Sequence, residues 1–187
     1  MDEGTFRLRP EGEQHMLTIG TSAPPFHLPG VCKGKVGRYH LHDYRGGWLI
    51  VFFYPADFSF ICPTEVTGFQ QFYAEFAASG CEVLGVSVDP LEMHRAWAEE
   101  LGGIDYPLLS DQERAVLRAY EVLDEQEGRA LRATFVIDPE AVIQYALVSH
   151  RNVGRSVAET LRVLKALQTG RSCPEGWRPG EPTLPGP

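Results

Sequence analysis

Cys62 stands at the mouth of a helical pattern in the stretch FFYPADFSFICPTE, residues 52–65. The nucleophilic form of cysteine is the thiolate, and a free thiol's pKa of about 8.5 falls to roughly 3.5–7.5 at helix N-termini and beside cations. The unpaired N–H groups of a first helical turn, together with the helix dipole, supply part of that stabilisation. Glu65 in the same turn opposes it unless another group occupies its carboxylate, and an arginine is the obvious candidate. Glu65 also fills the position where a C-x-x-C motif would carry its second thiol, so Cys62 has no local disulfide partner. The competing reading is a small core residue, because free cysteine is among the most buried residue types. Its place in a strand-to-helix loop favours chemistry, since reactive groups concentrate on loops held by a rigid scaffold.

The other cysteines, Cys32, Cys81 and Cys173, show no zinc-knuckle spacing with Cys62 or with one another. Cys81 opens a strand pattern and reads as core. His40 and His42 in HLH would share a strand face, but no third ligand follows at recognisable spacing. Neither a metal nor a cofactor is expected.

The elements that must position these residues are legible as patterns. WLIVFFY (48–54) is a continuous β-branched and aromatic run, the mark of a strand buried on both faces. From Pro63, apolar residues recur at helical spacing (Val66, Phe69, Phe72, Phe76) until Gly80, and CEVLGVSV follows as a parallel strand. Asp89, Pro90 and Glu92 predict a capping box opening a helix that Gly102 and Gly103 close. YPLLSD predicts a short strand and DQERAVLRAY a helix of about two or three turns. ALRATFVID and AVIQYALVS flank a DPEA turn and predict an antiparallel hairpin. Ser156 with Glu159 predicts a second capping box, for a helix whose stripe is Val157, Leu161, Leu164 and Leu167. The last 17 residues hold five of the 14 prolines and show no period. Together these describe an α/β sandwich of thioredoxin type, a central mixed sheet flanked by helices. The expected organisation is a flexible arm over 1–18, one domain over 19–170 and an extended tail over 171–187.

Composition narrows the function. The chain has 187 residues, 43% hydrophobic and 22% charged, with a formal charge of -8. That balance and the lack of Lys/Arg clusters argue against nucleic acid or an anionic membrane as partner. The first 16 residues carry no secretory pattern and the longest apolar run is far too short to span a bilayer, so a cytoplasmic location is expected. In that reducing compartment cysteines are more often catalytic, metal-binding or core residues than structural bridges.

YPADFSFICPTE resembles the active-site loop of the peroxiredoxins, whose pattern P-x-x-x-[TS]-x-x-C is matched by Pro55, Ser59 and Cys62. The likeness continues in order through Ala96 and Trp97, LRATFVID with Arg132, VGRSV with Arg155, and CPEGW from Cys173 to Trp177. The most similar group is the typical 2-Cys peroxiredoxins, which include the peroxidase component of bacterial alkyl hydroperoxide reductase. This resemblance implies a thiol peroxidase in antioxidant defence, with a hydroperoxide substrate. Cys62 would be the peroxidatic cysteine, passing through a sulfenic acid. Arg132 would favour its thiolate and stabilise charge as the O–O bond breaks. Ser59 would hold the peroxide, Pro55 would shield the site from water, Glu65 would orient Arg132, and Arg155 is the second arginine near the pocket. Cys173 would be the resolving thiol, carried on the tail of a partner subunit in a homodimer or in a decamer built of five such dimers, after local unwinding around Cys62. An external dithiol, either a thioredoxin-like protein or a dedicated flavoprotein reductase, would recycle the disulfide. The spacer between the last helix and Cys173 is only GRS. The chain has GGIDYP at 102–107 and LPGP at its end, in place of the glycine-rich insertion and Tyr-Phe helix that slow unwinding in sensitive relatives. Resistance to sulfinic acid formation is therefore expected. Two other classes compete: a thioredoxin-type thiol-disulfide oxidoreductase, disfavoured because CPTE lacks a local dithiol, and a redox-relay or chaperone protein.

Overall fold

Residue-by-residue alternation divides the central strand between two hydrophobic layers. In Trp48–Phe53, Leu49, Val51 and Phe53 join one cluster, while Ile50 and Phe52, continued by Tyr54, join the other. Both faces are buried, as a continuous apolar run requires. The computed structural model describes residues 18–185, and the expected arm lies outside the described residues except for Thr18.

The strands in chain order are β1 (His27–Cys32), β2 (Lys35–His40), β3 (Trp48–Phe53), β4 (Cys81–Ser87), β5 (Leu108–Ser110), β6 (Leu123–Asp124), β7 (Arg129–Ala130), β8 (Arg132–Ile137) and β9 (Ile143–Ser149). Seven of them build one mixed sheet in the order β2-β1-β5-β4-β3-β8-β9, and β6 with β7 makes a separate small hairpin. β3, β4 and β5 are parallel neighbours, whereas β8 runs antiparallel to both β3 and β9. The helices are α1 (Cys62–Ala78), α2 (Leu91–Glu100), α3 (Ala115–Ala119) and α4 (Val157–Gln168). Buried side chains of α1, α2 and α4 pack with Ile50 and Phe52, and those of α3 pack on the other face. This is the mixed sheet flanked by helices that the sequence predicts. Gly85 of β4 pairs with Phe52 of β3, and a Cβ there would lie 2.8 Å from the Phe52 ring, so the position calls for glycine.

Several local expectations are corrected. Pro90, not Asp89, is the N-cap of α2, because the Asp89 carboxylate is taken up by the Asp57 N–H and the Ser87 hydroxyl. The helix predicted over 111–120 shrinks to α3, with Arg114 left-handed (φ 60°) before it and the Asp111 carboxylate accepting from the N–H groups of Ala115 and Leu117. His40 and His42 do not share a strand face: β2 ends at His40, which stacks on His27, and His42 belongs to a 3-10 turn over Leu41–Tyr44. The Ser156 cap is realised, with its hydroxyl accepting from the Glu159 N–H; the Glu159 carboxylate pairs with Arg162 rather than reaching back.

Residues 171–185 contain neither helix nor strand, as their composition predicts. The stretch loops rather than runs straight. Leu184 N–H donates to the Ser172 carbonyl, Trp177 is buried, its indole N–H donates to Glu181 O, and Arg162 of α4 donates to Trp177 O.

Candidate active site

β3 delivers the chain to the sheet's carboxyl edge, where ligands gather in α/β folds. The loop 54–61 then turns it into α1, whose first residue is Cys62 and whose second is Pro63. Proline fits there because a first-turn N–H has no helical partner. Cys62 is wholly buried, with no accessible surface.

Arg132, at the start of β8, points one guanidinium nitrogen at two acceptors. Its Nη1 lies 3.2 Å from Cys62 Sγ and 2.7 Å from Glu65 Oε2, while Nε donates to the Arg151 carbonyl at 2.7 Å. Arg155 completes the cluster from the loop before α4. Its Nε and backbone N–H both donate to Glu65 Oε1, at 2.7 and 2.9 Å, and Nη2 donates to Oε2 at 2.9 Å. Its Nη1 is held by the carbonyls of Phe53 and Ala133 and by Thr134 Oγ1. The Glu65 carboxylate is therefore fully occupied, by the arginine that the sequence calls for and by a second one. Burial pushes the Glu65 carboxyl upward, but the hydrogen bonds and charge of Arg155, reinforced by Arg132, outweigh it and hold the group below its ordinary value. Two guanidiniums against one carboxylate leave a local excess of one positive charge beside Sγ. A thiolate there would neutralise it.

The remaining predicted residues sit around this centre in different ways. Pro55 and Arg132 line a cavity of about 190 Å³, together with Arg129, Arg151 and Asn152. Ser59 is half-buried and its hydroxyl donates to the Ala56 carbonyl at 2.9 Å. Arg155 does not touch Cys62; it acts on Glu65. Cys173 is at the foot of α4, its Sγ 3.5 Å from Thr169 Oγ1, beside a hollow of about 530 Å³ lined by Arg162 and Arg171. Both Cys62 and Cys173 are free thiols.

The family model described as "AhpC/TSA family" matches residues 19–146, most of the described chain, with Cys62, Glu65 and Arg132 inside the match and Arg151 and Arg155 beyond it. The chain belongs to the AhpC/TSA family. Among AhpC/TSA relatives, YkuU of Bacillus subtilis (strain 168), named as a peroxiredoxin, is 46% identical over 175 residues, covering 89% of this chain and 97% of the relative. The crystal structure of Enterococcus faecalis AhpC superposes with a TM-score of 0.79 at 38% identity, covering 83% of this chain and 98% of that one. The reduced 2-Cys peroxiredoxin of Plasmodium vivax gives 0.83 at 33% identity, with coverages of 88% and 91%. The AhpC/TSA chain is thus a thiol-dependent peroxidase with the thioredoxin-like peroxiredoxin fold, and the exchange and relay readings are not favoured.

Three parts of this AhpC/TSA site have no counterpart in the sequence reading. The Arg151 carbonyl that anchors Arg132 is a backbone group, without a residue signature. Thr134 is buried on β8 and takes part only because Arg155 reaches it. Tyr54, Asp57 and His94 form a buried hydrogen-bonded chain behind the loop, and only the first two are close enough in sequence to be paired by spacing. Cys81 is core, as predicted, and burial pushes its thiol far up. Trp97 is likewise core, tilted against Tyr54.

Proposed function

We propose that Cys62 is the peroxidatic thiol and Cys173 of a partner subunit the resolving one. The observation that carries the first half is Arg132 Nη1 at 3.2 Å from Cys62 Sγ, with the same guanidinium fixed by Glu65 and the Arg151 carbonyl. The Cys62 thiolate attacks the terminal oxygen of ROOH, the O–O bond breaks, and the alkoxide leaves as ROH on taking up a proton. Cys62 becomes the sulfenic acid. Arg132 neutralises the anion before and during this step, when charge shifts from sulfur to the departing oxygen. Glu65 orients Arg132, and Arg155 holds Glu65. Pro55 walls the cavity that gives onto Arg132, and Ser59 turns its hydroxyl from Ala56 O to the peroxide.

The Cys173 thiolate of the partner then attacks the Cys62 sulfur, hydroxide leaves as water, and an intersubunit disulfide forms. An external dithiol, thioredoxin-like or a flavoprotein reductase, restores both thiols by two exchanges. Cys62 has no exposed surface, so the first turn of α1 must open before the sulfurs meet at disulfide distance. The working unit in this reading is a homodimer, with a decamer as its closed assembly. The domain over 19–170 carries the chemistry, and the tail over 171–187 carries the resolving thiol. Hydrogen peroxide and organic hydroperoxides are the substrates, and the cytoplasm is the compartment. No helix among the described residues is long and apolar enough to cross a membrane.

The test is intact mass and a non-reducing gel after one equivalent of hydrogen peroxide on the reduced protein. A covalent dimer mapping to Cys62 and Cys173 is expected, and Cys62→Ser should consume no peroxide. A monomer with one added oxygen on Cys62 would remove Cys173 as resolver, and peroxide consumption by Cys62→Ser would overturn the assignment of Cys62.

A further inference from the structure

The loop that carries Pro55 and Ser59 is pinned from behind by groups the peroxidase reading leaves unused. Tyr54 donates its hydroxyl to Asp57 Oδ1 at 2.9 Å, and Asp57 Oδ2 lies 2.7 Å from His94 Nδ1. His94 Nε2 lies 3.2 Å from the Leu109 carbonyl, which can only accept. The side chains of Asp57 and His94 have no accessible surface. A hydrogen must therefore sit on Nε2, and a second must lie between Nδ1 and Oδ2, because a lone pair facing a carboxylate there would be repulsive and beyond the reach of water. The chain closes only with that proton in place. Burial pushes the Asp57 carboxyl upward against the bond and charge of His94, in the same sense.

The backbone repeats the anchorage. Asp57 N–H donates to Asp89 Oδ2 at 2.8 Å, and Asp89 is in turn held by Ser87 and Ser110. Phe58 follows in the left-handed region (φ 53°), with its ring 6.2 Å from Trp97 one helical turn beyond His94. A non-glycine residue persists there only where its surroundings over-determine it. Asp57 lies two residues from Pro55 on one side and two from Ser59 on the other. A fixed Asp57 fixes both.

We propose that the Tyr54–Asp57–His94 chain is a positioning device for the peroxidatic loop, holding it closed for reaction with peroxide and resisting the opening that disulfide formation requires. The inference rests on Cys62 as the peroxidatic thiol. Its consequence is a trade: loosening the chain slows oxidation of Cys62 and speeds its resolution, so the two steps move in opposite directions. Simple destabilisation would not produce that pair of changes. The chemistry of the lock also sets its conservative variant. In Asp57→Asn the amide N–H can donate to Nδ1 and its oxygen can accept from Tyr54, with Nε2–H still on the Leu109 carbonyl.

The experiment follows reduced full-length protein by rapid quench, alkylation and mass spectrometry after hydrogen peroxide, scoring reduced, disulfide and sulfinic forms of Cys62 with time. Asp57→Ala should oxidise at least ~10-fold more slowly, the scale of loss expected from small misplacement of reacting groups. It should also form the disulfide faster from sulfenic acid and leave a smaller sulfinic fraction, while Asp57→Asn restores all three. Tyr54→Phe, which removes one hydroxyl and preserves the core, should shift each quantity less and in the same sense, keeping the test open if Asp57→Ala fails to fold. The proposal is overturned if Asp57→Ala and Tyr54→Phe oxidise as wild type does, if both steps slow together, or if Asn fails to rescue. Cys62→Ser, run alongside, reports separately on the peroxidatic assignment, since oxidation elsewhere in that variant would remove the premise rather than the lock.

Discussion

Arg132 does three things with one guanidinium: it touches Cys62, binds Glu65 and anchors on the Arg151 carbonyl. A lysine would keep the charge but could not meet three acceptors in fixed directions. Arg132→Lys should therefore lower the rate constant for hydrogen peroxide by about 10²-fold, the scale of losing one fixed electrostatic contact, as read by stopped flow. Glu65 poses the opposite case. Its carboxylate lies between two buried guanidiniums, and Glu65→Gln leaves them without an anion. Breaking a buried pair from one side costs about 3–5 kcal/mol, which should appear as a lower midpoint in urea. Because its folded value is held below the ordinary 4.5, the stability Glu65 contributes is complete above that pH and is lost as pH falls through the depressed value. Melting temperatures measured down that acid limb should fall less steeply for Glu65→Gln than for wild type.

At the scale of elements, the site is the meeting of one helix start, one strand start and one loop. α1 brings Cys62 and Glu65 within a single turn, β8 brings Arg132 across the sheet edge, and the segment before α4 brings Arg155. Ser156, one residue beyond Arg155, caps α4 through the Glu159 N–H. Ser156→Ala should cost about 1 kcal/mol of stability, the usual worth of an N-cap, measured as a shift in denaturant midpoint. The C-terminal loop is an element of its own, closed between Ser172 and Leu184 and tied to α4 by Trp177 and Arg162. Cys173 lies inside that closure. Arg162→Gln removes the tie to the Trp177 carbonyl and, in the two-cysteine reading, should speed formation of the intersubunit disulfide several-fold in a quenched-flow gel assay, roughly the effect of one hydrogen bond of about 1 kcal/mol.

At the scale of the whole molecule, the two-cysteine reading has two thiols opening toward each other from separate buried or folded positions, and in that reading the balance of opening against further oxidation sets the enzyme's endurance. In that same reading the short GGIDYP stretch at 102–107 leaves the first turn of α1 free to open, so Cys62 should survive turnover at low peroxide; sulfinic acid on Cys62 there, seen by mass, would refute this. What the sequence determined by itself was local. The period of WLIVFFY, the stripe and proline of α1, the DPEA turn and the Ser156 cap are written in neighbouring residues, and the family is written in motifs that keep their order. From these came the sheet, the helices and the choice of Cys62. Tertiary structure alone decided that Arg155 holds Glu65 without touching Cys62, that a backbone carbonyl at Arg151 completes the anchor, that Asp57 meets His94, and that the tail loops back on α4. Each of these joins groups far apart in the chain through partners such as carbonyl oxygens that every residue carries, and no spacing encodes them. The same reason explains the local misreadings. Asp89 looks like an N-cap in sequence but is claimed by Asp57 and Ser87, and the helix expected from Asp111 is reduced to α3, entered through the left-handed Arg114 with the Asp111 carboxylate accepting from the Ala115 and Leu117 N–H groups.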